Sequence, residues 1–132
     1  MTARHQMIKD MKELGYSRWE ILQVFPNKTF KRFMGFVDRN GEHVEGAPGP
    51  CWRWKGGTNP AGYGWFYLTG GRNARCVMAH RYIFQCYNGS IDKNLTIDHL
   101  CANKLCVNPE HLEQVPREEN YKRGSKPHFE RK

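Results

Sequence analysis

The chain has 132 residues, a formal net charge of +8 and an isoelectric point near 9.4, so it is one domain, or a small domain with an appendage, that buries roughly two-thirds of its surface. Apolar residues are only 39%, no run is long enough to span a bilayer, and "MTARHQMIKDMKEL" has no signal-peptide core; a soluble, intracellular protein is expected, neither secreted nor membrane-bound. The basic excess points to a polyanionic partner, most simply nucleic acid.

The expected fold class is α+β. At the N-terminus, Met7, Ile8, Met11 and Leu14 share one face at helical spacing, and Gly15 ends that helix. "SRWE" then reads as a capping box in which Ser17 and Glu20 satisfy each other's backbone amides. The helix it opens carries Ile21, Leu22, Val24 and Phe25 and stops before Pro26. A third helix from about Asn27 turns Phe30, Phe33 and Met34 inward and Lys28, Lys31 and Arg32 outward. Residues 1–39 thus form a helical segment whose short helices and tight turn resemble a helix-turn-helix; a packing appendage or dimerisation arm is the alternative. "NGEHVEGAPGPC" follows, with three glycines and two prolines, and marks residues 40–50 as a linker.

From Cys51 the texture changes to aromatics and glycines. "TGGRN" makes a hairpin turn between two strand-like runs. Residues 80–88 read as a helix closed by Gly89, "NLTIDHL" and "HLEQV" as strands, and "PREENYKRG" as a helix with Pro116 at its first position and Gly124 past its end. Residues 51–124 form the main domain, and 125–132 a basic tail suited to phosphates. Most of Trp52, Trp54, Tyr63, Trp65 and Tyr67 are expected in the small core.

Five cysteines suit a metal site better than a disulfide framework in a reducing compartment. "HLCANKLCVNPEHLEQV" supplies Cys101, Cys106 and His111 from one loop, and Cys51 can supply the fourth ligand of a closed tetrahedral zinc site. Cys76 and Cys86 are expected to be small buried hydrophobes. That assignment leaves His99 at a strand end, positioned by the zinc loop, with the chemistry of a general base. Asn120, one turn into the last helix, can offer an amide oxygen to a hard cation such as magnesium. His80 can pack on the sheet or bond the backbone.

"CWRWKG", "GYG", "AHRY", "DHLCANKLCVNPEHLE" and "ENYKRG" together, covering residues 51–124 in order, resemble an HNH endonuclease of the His-Me finger (ββα-metal) superfamily. The nearest subgroup is the zinc-bearing one that includes His-Cys box homing endonucleases and phage HNH proteins. The resemblance implies a ββα-metal core with a β-hairpin. It also implies His99 as general base, Asn120 as ligand of the catalytic ion, and structural zinc on Cys51, Cys101, Cys106 and His111. Asp98, before the base, would be a second ligand of the catalytic ion. Strand alternation sets Asp98 and His99 on opposite faces, so that role requires a kink at the strand end. Asn108 would brace the loop through side-chain hydrogen bonds.

A phosphodiesterase of this type needs a cation beside the non-bridging oxygens, and Arg75, Arg81 and Arg72 are the candidates. Arg72 and Arg75 on the hairpin, Lys28, Lys31 and Arg32 on the third helix, and Lys122 and Arg123 on the last are the expected DNA contacts. The expected activity is magnesium-dependent hydrolysis of double-stranded DNA, leaving 5′-phosphate and 3′-hydroxyl ends, with a homodimer suited to a palindromic site. The rival readings are a non-cleaving DNA-binding protein and a protein-interaction module on a nuclease-like fold.

Overall fold

The structure is a computed structural model that describes residues 2–124, 126, 127 and 129. Of the basic tail, Ser125, His128, Glu130, Arg131 and Lys132 lie outside the described residues. The chain is α+β, as expected: five α-helices and three two-stranded antiparallel sheets among the described residues.

The N-terminal part is built from α1 (Ala3–Glu13), α2 (Arg18–Val24) and α3 (Lys28–Met34). The capping box forms as the sequence demands: Ser17 Oγ accepts from the Glu20 amide at 3.1 Å and Glu20 accepts from the Ser17 amide at 3.0 Å. Asn27 caps α3 by accepting from the Phe30 amide. Coverage of the apolar face of α1 is partial, with Ile8 and Met11 half-buried and Met7 and Leu14 exposed.

The helices share one core with the rest of the chain. Phe33 is fully buried, its ring 4.7 Å from Trp54, 5.0 Å from Phe66 and 4.8 Å from Tyr82. Leu22, Phe30, Ile83, Phe84, Ile97, Val107 and Leu112 complete that core. Burying a Phe of this kind stabilises by about 3 kcal/mol.

After α3, β1 (Val37–Asp38) pairs with β2 (Arg53–Trp54). The intervening segment leaves Gly41 so close to Cys51 that a Cβ there would collide with the Cys51 carbonyl, which is why a side chain cannot stand at that position. The hairpin of β3 (Trp65–Thr69) and β4 (Arg75–Met78) turns through "GGRNA" with an irregular register beyond Tyr67. Next come α4 (Ala79–Asn88), which ends at Gly89 with φ +86°, and β5 (Leu95–His99). A 3-10 turn (Pro109–His111), β6 (Leu112–Pro116) and α5 (Arg117–Arg123) close the fold. Pro116 stands at the N-cap of α5, one residue before the position its sequence suggests, because its ψ of 149° is still extended.

The β5–β6 hairpin with α5 docked on it is the ββα unit. Register pairs Asp98 with Glu113 and His99 with Leu112. Arg123 binds the unit together: its guanidinium donates to Asp98 Oδ2 (3.1 Å) on β5, Glu113 Oε1 (3.0 Å) on β6 and Glu119 Oε1 (3.1 Å) on its own helix. Among the described residues, no helix is long and apolar enough to cross a membrane.

Candidate metal centre and catalytic histidine

Cys51, Cys101, Cys106 and His111 are all buried, and their ligand atoms lie within 4.8 Å of one another. Sequence places Cys51 some fifty residues from the loop; the backbone delivers it. Trp54 N donates to Leu105 O at 2.8 Å and Val107 N to Trp52 O at 2.7 Å, so the strand that begins at Cys51 runs beside the zinc loop.

His111 has its ring oriented from behind. Nε2 faces the carbonyls of Pro48 (3.0 Å) and Gly49 (3.2 Å), which can only accept, so the proton sits on Nε2. Nδ1 is then the lone pair that faces the cysteines, 3.6 Å from Cys51 Sγ and 3.5 Å from Cys106 Sγ. Asn108 fixes the same stretch: its Nδ2 donates to the Pro50 carbonyl at 2.9 Å and its Oδ1 accepts from the Glu110 amide at 3.0 Å. Second-shell hydrogen bonds of this kind hold ligands in register in metal sites.

The ionisation of the cluster asks for a cation. The Cys106 thiol, hydrogen-bonded to Cys101, is the main cause that brings Cys101 down to about 4. With that thiolate in place, burial and then the Cys101 charge push Cys51 up to about 11. Cys106 is pushed up as well, by its bond to Cys101 and by burial. Burial opposes protonation of His111, yet the bonds to Cys101, Pro48 and Gly49 raise it on balance. The protein by itself sustains one thiolate; three thiolates and an imidazole around one point fit a zinc ion, whose charge deprotonates coordinating thiols. The donor set and the burial both fit structural zinc.

His99 ends β5 and is 8% exposed. Burial is the main cause that lowers its pKa, against smaller raising effects from Cys101, Asp98 and a hydrogen bond to the Cys106 backbone. The ring is therefore neutral near pH 7. Donation to the Cys106 carbonyl leaves Nε2 as the lone-pair nitrogen, and Nε2 has no hydrogen-bond partner among the described residues.

Two rings pack against His99: His80, at 4.7 Å between centroids, and Tyr63, at 5.9 Å and nearly parallel. His80 is the second residue of α4, and its Nδ1 is likewise unpartnered among the described residues. Burial, with the neighbouring His99 and Arg81, lowers it to about 3, so it is neutral too.

Strand alternation holds. Asp98 points to α5 and its carboxylate is paired with Arg123, whereas His99 points the other way, to His80 and Tyr63. Asn120 is half-buried on α5, three residues before Arg123 and so near it on the helix surface. As donors, the Asn120 amide oxygen and the Asp98 carboxylate suit a hard divalent ion, although Asp98 Oδ2 is taken by Arg123.

Of the expected cations, Lys28, Lys31, Arg72, Arg75 and Lys122 are exposed and Arg81 is half-buried. Arg32 is engaged internally: it donates to the carbonyls of Tyr67 (2.8 Å) and Leu68 (3.2 Å) and lies over the Phe66 ring. Arg123 is tied to its three carboxylates. A cleft of about 850 Å³ runs past Asp38, Glu42, Arg53 and Lys104 to Cys51 and Cys101. Neither His99 nor Asn120 lines it. His80, Tyr63 and Lys104 surround the candidate base, although spacing alone marks none of them; "AHRY" and "GYG" carry the only sequence signal for the first two.

Residues 77–122 match the sequence model of a family described as HNH endonuclease. Protein 2.8 of Escherichia phage T7 is 40% identical over 73 residues, which cover 54% of this chain and 46% of that protein. An uncharacterized gene 5.3 protein of Enterobacteria phage T3 is 37% identical over 43 residues, 33% of this chain and 43% of that protein. The chain thus spans less than half the length of the curated relatives it matches. No solved structure matches it. The stretch that matches the HNH endonuclease family carries His99, three of the four cluster ligands and Asn120, and the chain is similar in sequence to phage proteins.

Proposed function

We propose that the protein is a divalent-metal-dependent DNA endonuclease that uses His99 as its general base. The observation that carries this reading is the state of His99: buried, neutral, its tautomer fixed by the Cys106 carbonyl, and its Nε2 lone pair free. A purely structural histidine normally satisfies both nitrogens when buried. Here the ring is held by the backbone of a cluster ligand, Cys106, inside the segment that matches the HNH family.

In the proposed reaction His99 Nε2 takes a proton from water as the oxygen attacks phosphorus in line. The bond to the 3′-oxygen breaks, leaving 5′-phosphate and 3′-hydroxyl ends. Asn120, with Asp98 if Arg123 releases it, would hold the hard divalent ion, magnesium being the first choice. Such an ion neutralises the phosphate and the leaving oxygen when bound. Zinc on Cys51, Cys101, Cys106 and His111 keeps the base in place and takes no part in the chemistry. Arg75, Arg81 and Arg72 are the arginine candidates for charge stabilisation, and Lys28, Lys31, Lys122 and the hairpin arginines for the grip on double-stranded DNA. A helix-turn-helix-like role for residues 1–39, separated by 40–50 from the nuclease domain at 51–124, and a homodimer at a palindromic site belong to the same proposal.

The pairing of Asp98 with Arg123, which occupies a carboxylate oxygen that the catalytic ion would need, favours one other reading: a zinc-stabilised DNA-binding protein that does not cut. Supercoiled plasmid incubated with the purified protein, with magnesium or with EDTA, separates the two. Nicked or linear product that needs magnesium, and that falls about 100- to 10,000-fold in the His99→Ala variant, supports the nuclease. Salt-sensitive binding without cleavage across several plasmids and divalent ions would shift the assignment to the binding protein.

A further inference from the structure

His99 Nε2 is sealed in the free protein, which is the wrong state for a base that must meet water. Tyr63 is the ring stacked nearly parallel to it, and the turn that carries Tyr63 is well ordered: Asn59 Oδ1 accepts from the amides of Ala61 and Tyr63, each at 3.0 Å. Backbone bonds close that turn, Asn59 N donating to Tyr63 O and Gly62 N to Asn59 O, each at 2.9 Å, and one long side chain reaches it from the metal-ligand loop. Lys104 Nζ donates to the Ala61 carbonyl at 3.1 Å and stands 5.2 Å from the centroid of the Tyr63 ring.

Lys104 sits between two cluster ligands, Cys101 and Cys106, in a turn braced by Asn103 Oδ1 accepting from the Leu105 amide and by Ala102 N donating to the His99 carbonyl. Its backbone is therefore fixed relative to His99, while its four-carbon stem can swing. Two of the cations the structure ties down are held far more firmly, Arg123 by three carboxylates and Arg32 by two carbonyls and a ring. Exposed contacts from an ammonium to one carbonyl and one ring face are weak, and a phosphate oxygen competes well for them. The Lys104 charge is also near enough to bear on His99.

We propose that Lys104 is a substrate-binding residue of the His99 site, the cation that takes a nucleic-acid phosphate, and that its departure from Ala61 and Tyr63 loosens the Tyr63 ring where it covers His99. This rests on the nuclease reading above and extends it: the zinc cluster presents the phosphate-binding cation as well as positioning the base, and access to the base depends on a phosphate being there.

The test uses the full chain with Lys104→Gln and Lys104→Arg, each in the native background for cleavage and in the His99→Ala background for binding. Binding of a labelled DNA duplex is followed by anisotropy over a salt series. Loss of one phosphate contact in Lys104→Gln should lower the slope of log K against log salt by about 0.9, with Lys104→Arg keeping the slope. Cleavage by Lys104→Gln should fall about 100-fold in kcat/KM and recover most of that in Lys104→Arg. A salt slope unchanged in Lys104→Gln, or cleavage that depends on magnesium and His99 but not on Lys104, would overturn the inference and leave the nuclease standing. No binding of DNA by the unsubstituted protein would overturn both.

Discussion

Two histidines twelve positions apart in one loop region are built to opposite ends. His111 has both ring nitrogens engaged, Nε2 by the carbonyls of Pro48 and Gly49 and Nδ1 by the cysteine cluster. His99 has one nitrogen held and the other bare, and the ring beside it, His80, also carries a bare nitrogen. A complete donor set with a complete second shell is what a structural metal needs. Buried lone pairs without donors weaken a fold, and they are retained where something must come to them. On the proposed reading, the boundary between the part that holds the fold and the part that does chemistry falls between His99 and Cys101.

The largest effect should come from the closed side. Cys106→Ser, or a strong chelator on the unsubstituted protein, should remove zinc and with it the cooperative thermal transition, because binding of structural zinc is worth about 10 kcal/mol or more, comparable with the whole stability of a domain this size. Metal content and far-ultraviolet circular dichroism check this. An unchanged melt after zinc loss would make the cluster decorative. His99→Ala, in contrast, should keep its zinc and its transition.

Next in size is the tie that holds the ββα unit together. Arg123→Ala takes a charged donor from the buried Asp98 carboxylate and should cost about 2–3 kcal/mol, read from denaturant midpoints. Glu113 and Glu119 are half exposed and add little to that figure. The same variant removes the Arg123 charge beside Asp98, so it also asks whether a divalent ion is then held more tightly. Asn108→Ala should cost about 1 kcal/mol and speed zinc release to a chromogenic chelator, since it loosens Pro50 and the 3-10 turn that presents His111.

The smallest change is the most discriminating. His80→Phe replaces a neutral ring bearing a bare buried nitrogen with an apolar one of similar shape, so stability should be unchanged or rise by up to about 1 kcal/mol. A clear loss of stability would mean that His80 Nδ1 has a partner in solution, and the two sides of the comparison would then be alike.

What could be read from sequence was what is written locally. The capping box at Ser17–Glu20, the hairpin around "TGGRN" and the strands flanking the zinc loop each follow from residues within a few positions of one another. The cluster ligands were legible because thiol and imidazole chemistry narrows the choice so sharply that even distant Cys51 could be recruited. The partners of long cationic side chains were not legible. Arg32 and Arg123 carry the same charge as Arg72 and Arg75, yet the first two close on carbonyls and carboxylates of their own fold. The irregular stretch 40–50 is visible as a break, but nothing in its composition says that its carbonyls serve His111 and Asn108. Nor does any spacing bring His80, Tyr63 and Lys104 to His99; three separate elements have to pack before they meet.

The pairing of Trp52–Trp54 with Leu105–Val107 also sets an order of events. The hairpin of β3 and β4 lies wholly between those two stretches and pairs locally, so it can form early. The clasp that brings Cys51 to the loop closes about fifty residues of chain at an entropic cost on the order of 4 kcal/mol, and contacts of such separation slow folding. A refolding chain is therefore expected to pair that hairpin before the cysteines meet, and the cluster is complete only once the closure forms.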